Sequence, residues 1–181
     1  MATKMRTYNT IIRPVVLYGS ETWSLTQRQE SRLLVFENTI LRRILGPVFD
    51  PAEGWRIRHN AELRQITRQP LITDVIKAAR IRWAGHVARM PDSRLPSIVL
   101  NQQLVGNRPA GRPRKRWEDC LKESIRAQGL DPTRWKELAQ DRQRWRAVSA
   151  AAMGPKRPDR HRGKVREGSR DVDGEGRMDG E

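Results

Sequence analysis

Four prolines (Pro91, Pro96, Pro109 and Pro113) and two glycines (Gly106 and Gly111) fall within residues 91–114. Proline cannot donate a backbone hydrogen bond, and its ring clashes with the preceding helical turn. No long helix or central strand can therefore run through this stretch. The sequence on either side reads as helix. RWAGHVARM at 82–90 stops at Pro91, and a new helix opens near Lys115 with Trp117 in its first turn. The chain is thus constrained to helices flanking an irregular connector, which has room for one short apolar piece at 98–104. The connector also ends in distinctive chemistry. Five basic residues and no acid lie between Arg108 and Arg116. Such a run draws polyanions, of which nucleic acid is the commonest.

Charge sharpens this reading. The 181 residues carry a net charge of +15. Residues from Ala151 onward hold 8 basic and 7 acidic side chains, so +14 belongs to the first 150. An excess concentrated on the foldable part favours a nucleic-acid partner over a merely solvated surface. Apolar residues make up 36%, enough for a modest core. Cys120 is the only cysteine, which rules out an intrachain disulfide and fits a reducing compartment. No apolar run approaches the roughly 18 residues of a membrane span, and the N-terminus has no apolar core suited to a secretion signal.

Elsewhere the apolar period is helical. Thr26 with Gln29 forms a capping-box pattern, and Leu33, Ile40, Leu41, Ile44 and Leu45 follow at intervals of three or four before Gly46-Pro47. A helix is expected over 26–45. Residues 7–18 predict a helix bent or started at Pro14, and residues 47–59 a loop. Asn60 is placed to cap a short helix ending before Pro70. A longer helix is expected over 72–90, with Ile72, Ile76, Ala79, Trp83, Val87 and Met90 on its apolar face. Gly85 weakens that helix by roughly 1 kcal/mol relative to alanine, which points to close backbone approach there. A helix from Lys115 to Gly129 and another from Asp131-Pro132 through Trp145 to Gly154 complete the folded part. From Pro155 the chain is too polar to bury a core and is expected to be disordered. The fold class expected is all-α, with five or six helices.

Candidate nucleic-acid contacts are Arg108, Arg112, Arg114, Lys115 and Arg116, which Pro109, Gly111 and Pro113 keep extended. Free N–H groups at the helix start near Lys115 would add a phosphate seat. Arg82, His86 and Arg89 line one edge of the 72–90 helix; Arg82 and Arg89 are added to the candidate set, while His86 reads better as a packed residue. Gly111-Arg112-Pro113 matches the centre of an AT-hook, though Ala110 stands where that motif has arginine. Trp83, Trp117, Trp135 and Trp145 sit on apolar stripes and read as core rather than as base-stacking platforms. His59, His86, Cys120 and His161 are too scattered for a metal site, and no cofactor is expected. No phosphate loop, nucleophile elbow or carboxylate cluster for two-metal chemistry is present.

Several segments together resemble the C-terminal region of non-LTR (LINE-type) retrotransposon reverse transcriptases. They are TYNTIIRPVVLYGSETWSLT at 7–26, ILRRILGPV at 40–48, WRIRHNAEL at 55–63, RWAGHVARM at 82–90 and GRPRKRWEDCL at 111–121. The Trp135, Asp141-Arg142, Trp145-Arg146 pattern follows them in the same order, so the resemblance covers about residues 5–150. It implies a thumb-like segment at 1–46 and a helical nucleic-acid-binding region at 47–154 that grips RNA or DNA, followed by a disordered tail at 155–181. The thumb-like helices are expected to expose apolar surface where a palm would pack. The family's catalytic aspartates belong to the palm and have no counterpart here; Tyr18-Gly19 is not the palm's Tyr-x-Asp-Asp. The zinc knuckle common among relatives is missing too. The expected protein is therefore a non-catalytic, nucleic-acid-binding remnant, located inside the cell and in the nucleus rather than the cytoplasm. The alternative is an interaction-only or non-functional helical fragment with charge-driven binding.

Overall fold

The computed structural model describes residues 1–102, 111 and 115–154. The chain begins as a continuous helical segment with a π turn in its middle. Ala2–Thr7 (α1) runs into a π-helical turn at Tyr8–Ile12 and then Arg13–Leu17 (α2). Pro14 accounts for the π turn, because its ring would collide with a carbonyl one α-helical turn back and the wider turn makes room for it. Gly19, at φ 68, reverses the chain into a short 3₁₀ turn at Ser20–Thr22.

Gln27–Leu45 (α3) starts at the predicted capping box. Thr26 N donates to Gln29 Oε1 (2.8 Å), and Gln29 N donates to Thr26 Oγ1 (3.4 Å). Gly46, at φ 73, stops it. The predicted loop at 47–59 instead contains a small antiparallel hairpin, Val48–Asp50 (β1) and Gly54–Arg56 (β2). Phe49 faces Trp55 across it, with ring centroids 5.6 Å apart. Asp50 Oδ1 accepts from Ala52 N, and Gly54 takes the positive φ that closes the turn. Three-residue strands are too short to show a period, which is why the sequence reads as loop.

Asn60–Thr67 (α4) is capped one residue earlier than expected, at His59, whose N–H donates to Glu62 Oε2 (2.7 Å). Asn60 Oδ1 is already engaged by Arg42 Nη2 (2.6 Å).

Ile72–Ala88 (α5) is the central element. It packs against α3 and against Leu95–Asn101 (α6), Trp117–Arg126 (α7), Trp135–Gln140 (α8) and Arg142–Ala151 (α9). Its burial is correspondingly broad. Ile72, Thr73, Ile76, Ala78, Arg80, Ile81, Ala84, Gly85 and Val87 are all inside. Of the apolar face expected, Ile72, Ile76 and Val87 are buried, whereas Ala79, Met90 and Trp83, read as core, are only half-buried. Ala78, Ala84 and Gly85 are small enough to be covered by neighbours on every side, so small residues rather than large apolar ones mark the extra buried surface.

The largest apolar cluster joins Ala78, Ile81 and Ala84 of α5 to Leu121, Ile125, Trp135, Ala139 and Trp145. Trp135 and Trp145 are each 2% exposed, with centroids 6.0 Å apart. Burying each contributes on the order of 4–6 kcal/mol before chain entropy is counted. Ten residues along one straight helix would leave them about 80° apart around its axis. The single helix expected here is in fact split at Asp141, and both indoles face α5. Asp141 Oδ1 accepts from Gln143 N and Arg144 N, each at 3.0 Å, restarting the helix as α9. Asp131 likewise caps a turn rather than a helix, accepting from Thr133 N (2.8 Å). Gly85 is where Trp145 lands. A Cβ there would sit 2.0 Å from the indole nitrogen, which donates to the Ile81 carbonyl (2.7 Å). The close approach anticipated from a mid-helix glycine is thus made by an indole.

Two smaller clusters complete the interior. Tyr8, Leu41, Leu45 and Leu63 form one, and Leu25, Ile72 and Ile76 the other. The segment leading into α3 is held by side chains from the central helices. Trp117 Nε1 donates to the Glu21 carbonyl (2.7 Å), Arg80 Nη2 to that of Trp23 (3.0 Å), and Cys120 Sγ lies 3.7 Å from that of Leu25. Arg80 is itself buried, and that burial pushes its guanidinium pKa down. Apolar surface remains open on the N-terminal helices, where Ile11, Val15, Tyr18 and Val35 are exposed. An apolar groove there is lined by Val16, Trp23, Leu25, Leu33 and Phe36. The tail from Pro155, expected to be disordered, lies outside the described residues.

Candidate nucleic-acid interface

Of the seven predicted contact residues, Arg108, Arg112 and Arg114 lie outside the described residues. Lys115 and Arg116 lead into α7, and both stand beside acids. Lys115 is half-buried and its Nζ is 2.6 Å from Glu123 Oε2. Burial, the largest single influence, would lower its pKa, but the hydrogen bond to Glu123 together with the charges of Cys120, Glu123 and Glu30 outweighs it and the net shift is upward. Arg116 is exposed at the N-cap, and its N–H donates to Asp119 Oδ2 (3.0 Å). Glu118 and Asp119 fill the first turn of α7, so carboxylates already complement the helix end proposed as a phosphate seat.

Arg82 is exposed on α5 with no hydrogen-bond or ion-pair partner among the described residues. Arg89 caps the same helix at its C-terminus; its Nη1 donates to the Ala139 carbonyl and ties α5 to α8. Its guanidinium is therefore held in one place with its other donors to spare. His86, read as a packed residue, is exposed, and its ring rests against the half-buried Trp83 at 5.5 Å between centroids.

The structure adds two arginines to this edge. His86, Arg89, Met90, Pro91, Arg94 and Arg142 line one open cleft of about 510 Å³. Arg94 is the N-cap of α6 and Arg142 the first residue of α9; both are exposed. The sequence makes neither a candidate contact. Arg94 sits in a Pro-rich stretch with no periodic signal, and only the break at Asp141 turns the start of α9 toward the end of α5.

A different group of arginines is turned inward. Glu37, on α3, has a side chain only 1% exposed. Arg64 Nη1 (2.9 Å), Arg13 Nη2 (3.4 Å), Tyr8 Oη (3.3 Å) and Ile72 N (3.2 Å) all converge on its carboxylate. Burial, followed by Glu37 itself, pushes the Tyr8 phenol up to about 12. These groups join the π-helical turn, α2, α3, α4 and α5 around one buried carboxylate. No group of three or more potential metal ligands occurs among the described residues, and no helix there is long and apolar enough to cross a membrane.

The described residues form a mostly helical fold in a basic chain, and its similarity to a transposon-derived protein supports a transposon-related origin. The chain is 29% identical over 151 residues to an uncharacterized transposon-derived protein of Caenorhabditis elegans; the match takes in 80% of this chain and 53% of that protein. The chain thus spans about half the length of the relative it matches. No family model matches, and no solved structure does.

Proposed function

We propose that these residues are a nucleic-acid-binding segment derived from the post-palm, C-terminal region of a LINE-type reverse transcriptase. The observation that carries this reading is the placement of charge. An excess of +14 lies in residues 1–150, its densest acid-free run is at 108–116, and the chain is similar to a transposon-derived protein. Arg108, Arg112, Arg114, Lys115 and Arg116 contact RNA or DNA phosphates, with Arg82 and Arg89 alongside. No catalysis is assigned to these residues alone, because the sequence has no carboxylate cluster of the kind phosphoryl transfer uses. Metal-dependent primer extension on an RNA template by the purified protein would overturn that assignment.

Removing one basic side chain from a phosphate lowers the salt slope of binding by about 0.7 on single strands and about 0.9 on duplex DNA. Replacing Arg112, Arg114 and Arg116 with Gln is expected to lower it by roughly two to three. Removing three basic residues from 156–170 is expected to change it far less. Equal reductions from the two variants would sink the 108–116 assignment.

A second reading has its own support. The apolar groove of Val16, Trp23, Leu25, Leu33 and Phe36, with Val15 and Tyr18 exposed nearby, suits a helical fragment that works by packing against another protein surface. On that reading nucleic acid binds through bulk charge alone, and the two triple variants behave alike.

A further inference from the structure

We propose that the cleft where the end of α5 meets the starts of α6 and α9 holds the phosphodiester backbone of a single nucleic-acid strand, with Arg94 and Arg142 as its principal phosphate contacts. The proposal rests on the nucleic-acid reading above but places a contact away from the 108–116 run.

Three features of the cleft carry it. The first is unused charge. Arg94 and Arg142 are exposed, and their side chains have no hydrogen-bond or ion-pair partner among the described residues. The six lining residues include no carboxylate. The neighbouring acids are occupied: Asp92 accepts from Ser97 Oγ (3.5 Å), while Asp141 caps α9 and pairs with Arg144 (3.4 Å). The second is preorganisation. Arg89 lines the cleft and is fixed by the Ala139 carbonyl, so engaging it does not carry the full entropy cost of ordering a free arginine. The third is the wall. Met90 and Pro91 are apolar, and the exposed His86 ring is braced by Trp83. A duplex presents only phosphates and sugars to such a groove. A single strand also presents unstacked bases, and an apolar wall with a braced ring can receive one.

The test uses the full chain and fluorescently labelled single-stranded RNA, with duplex DNA of equal length as the second probe, titrated across a salt series. The Arg94→Gln, Arg142→Gln double variant is expected to lower the single-strand slope by about 1.4. The control removes equal charge from α3, as Arg28→Gln with Arg43→Gln, and is expected to leave most of the slope intact. His86→Ala is expected to weaken single-strand binding about 5-fold without changing the slope, and to leave duplex binding unchanged. Unfolding midpoints confirm that each variant folds. Equal reductions from the cleft and α3 variants would overturn the cleft while leaving the broader nucleic-acid reading intact. Equal effects on the duplex, with no effect of His86→Ala, would overturn the single-strand assignment. If the unmodified chain binds neither probe at low salt, both readings fall together.

Discussion

Arginines around Glu37 and arginines around the α5–α6–α9 cleft are the same side chain put to opposite uses. Arg13 and Arg64 are largely buried and meet at one carboxylate, which Tyr8 and the Ile72 backbone also engage. Arg94 and Arg142 are exposed and meet no carboxylate. Net charge alone does not distinguish the two groups. A basic residue whose charge is already neutralised inside the fold adds little to the attraction of a polyanion, whereas an unpaired one at a concave edge adds the most. The contrast separates arginines that hold helices together from those free to hold a ligand.

The sharpest way to break the contrast is at Glu37. Glu37→Gln leaves Arg13 and Arg64 without their buried counter-charge and is expected to cost about 3 kcal/mol, seen as a lower urea midpoint. A result under about 1 kcal/mol would mean the two arginines find solvent as easily as those in the cleft.

An intermediate effect is expected from Arg56 and Glu62, a two-pronged pair joining the hairpin to α4 at 2.7 and 3.0 Å. That hydrogen bonding from Arg56, with further help from the His59 N–H, lowers the Glu62 pKa from 4.5 to about 2. A carboxylate whose pKa is depressed on folding stabilises the protein above its unfolded value, and that contribution is lost as pH falls through the folded one. The stability gap between the wild type and Glu62→Gln is therefore expected to close between pH 4.5 and about 2. Unfolding midpoints measured across that window test it; a gap that is flat with pH would refute it.

The smallest stability effect belongs to the cleft. Arg94→Gln and Arg142→Gln, each exposed and unpaired, are expected to change stability by less than about 0.5 kcal/mol while reducing the salt slope of binding.

Legibility in the sequence follows the range of the interactions. α3 is readable to within a residue because its cap, period and Gly-Pro stop are all local. Gly85 is readable as a site of close approach because a glycine inside a helix needs a reason, though nothing local names Trp145 as the neighbour. The hairpin escapes sequence reading because three residues show no alternation. The broad burial of α5 escapes it because alanines and a buried arginine do not register as an apolar stripe. The cleft is half-visible. His86 and Arg89 share a helix edge and can be seen, while Arg94 and Arg142 reach the same place only through tertiary packing.

The three contacts at Glu21, Trp23 and Leu25 carry a last implication. Each of the acceptors is a main-chain carbonyl, a group every amino acid supplies, while each of the donors is one specific side chain on α5 or α7. The burden of specifying this joint is lopsided. Mutational drift along 21–25 can proceed with little penalty from these bonds as long as the backbone keeps its course, whereas Arg80 and Trp117 have no ready substitutes. A stretch that looks arbitrary in letters can be mechanically fixed, with its instructions written some sixty to a hundred residues downstream.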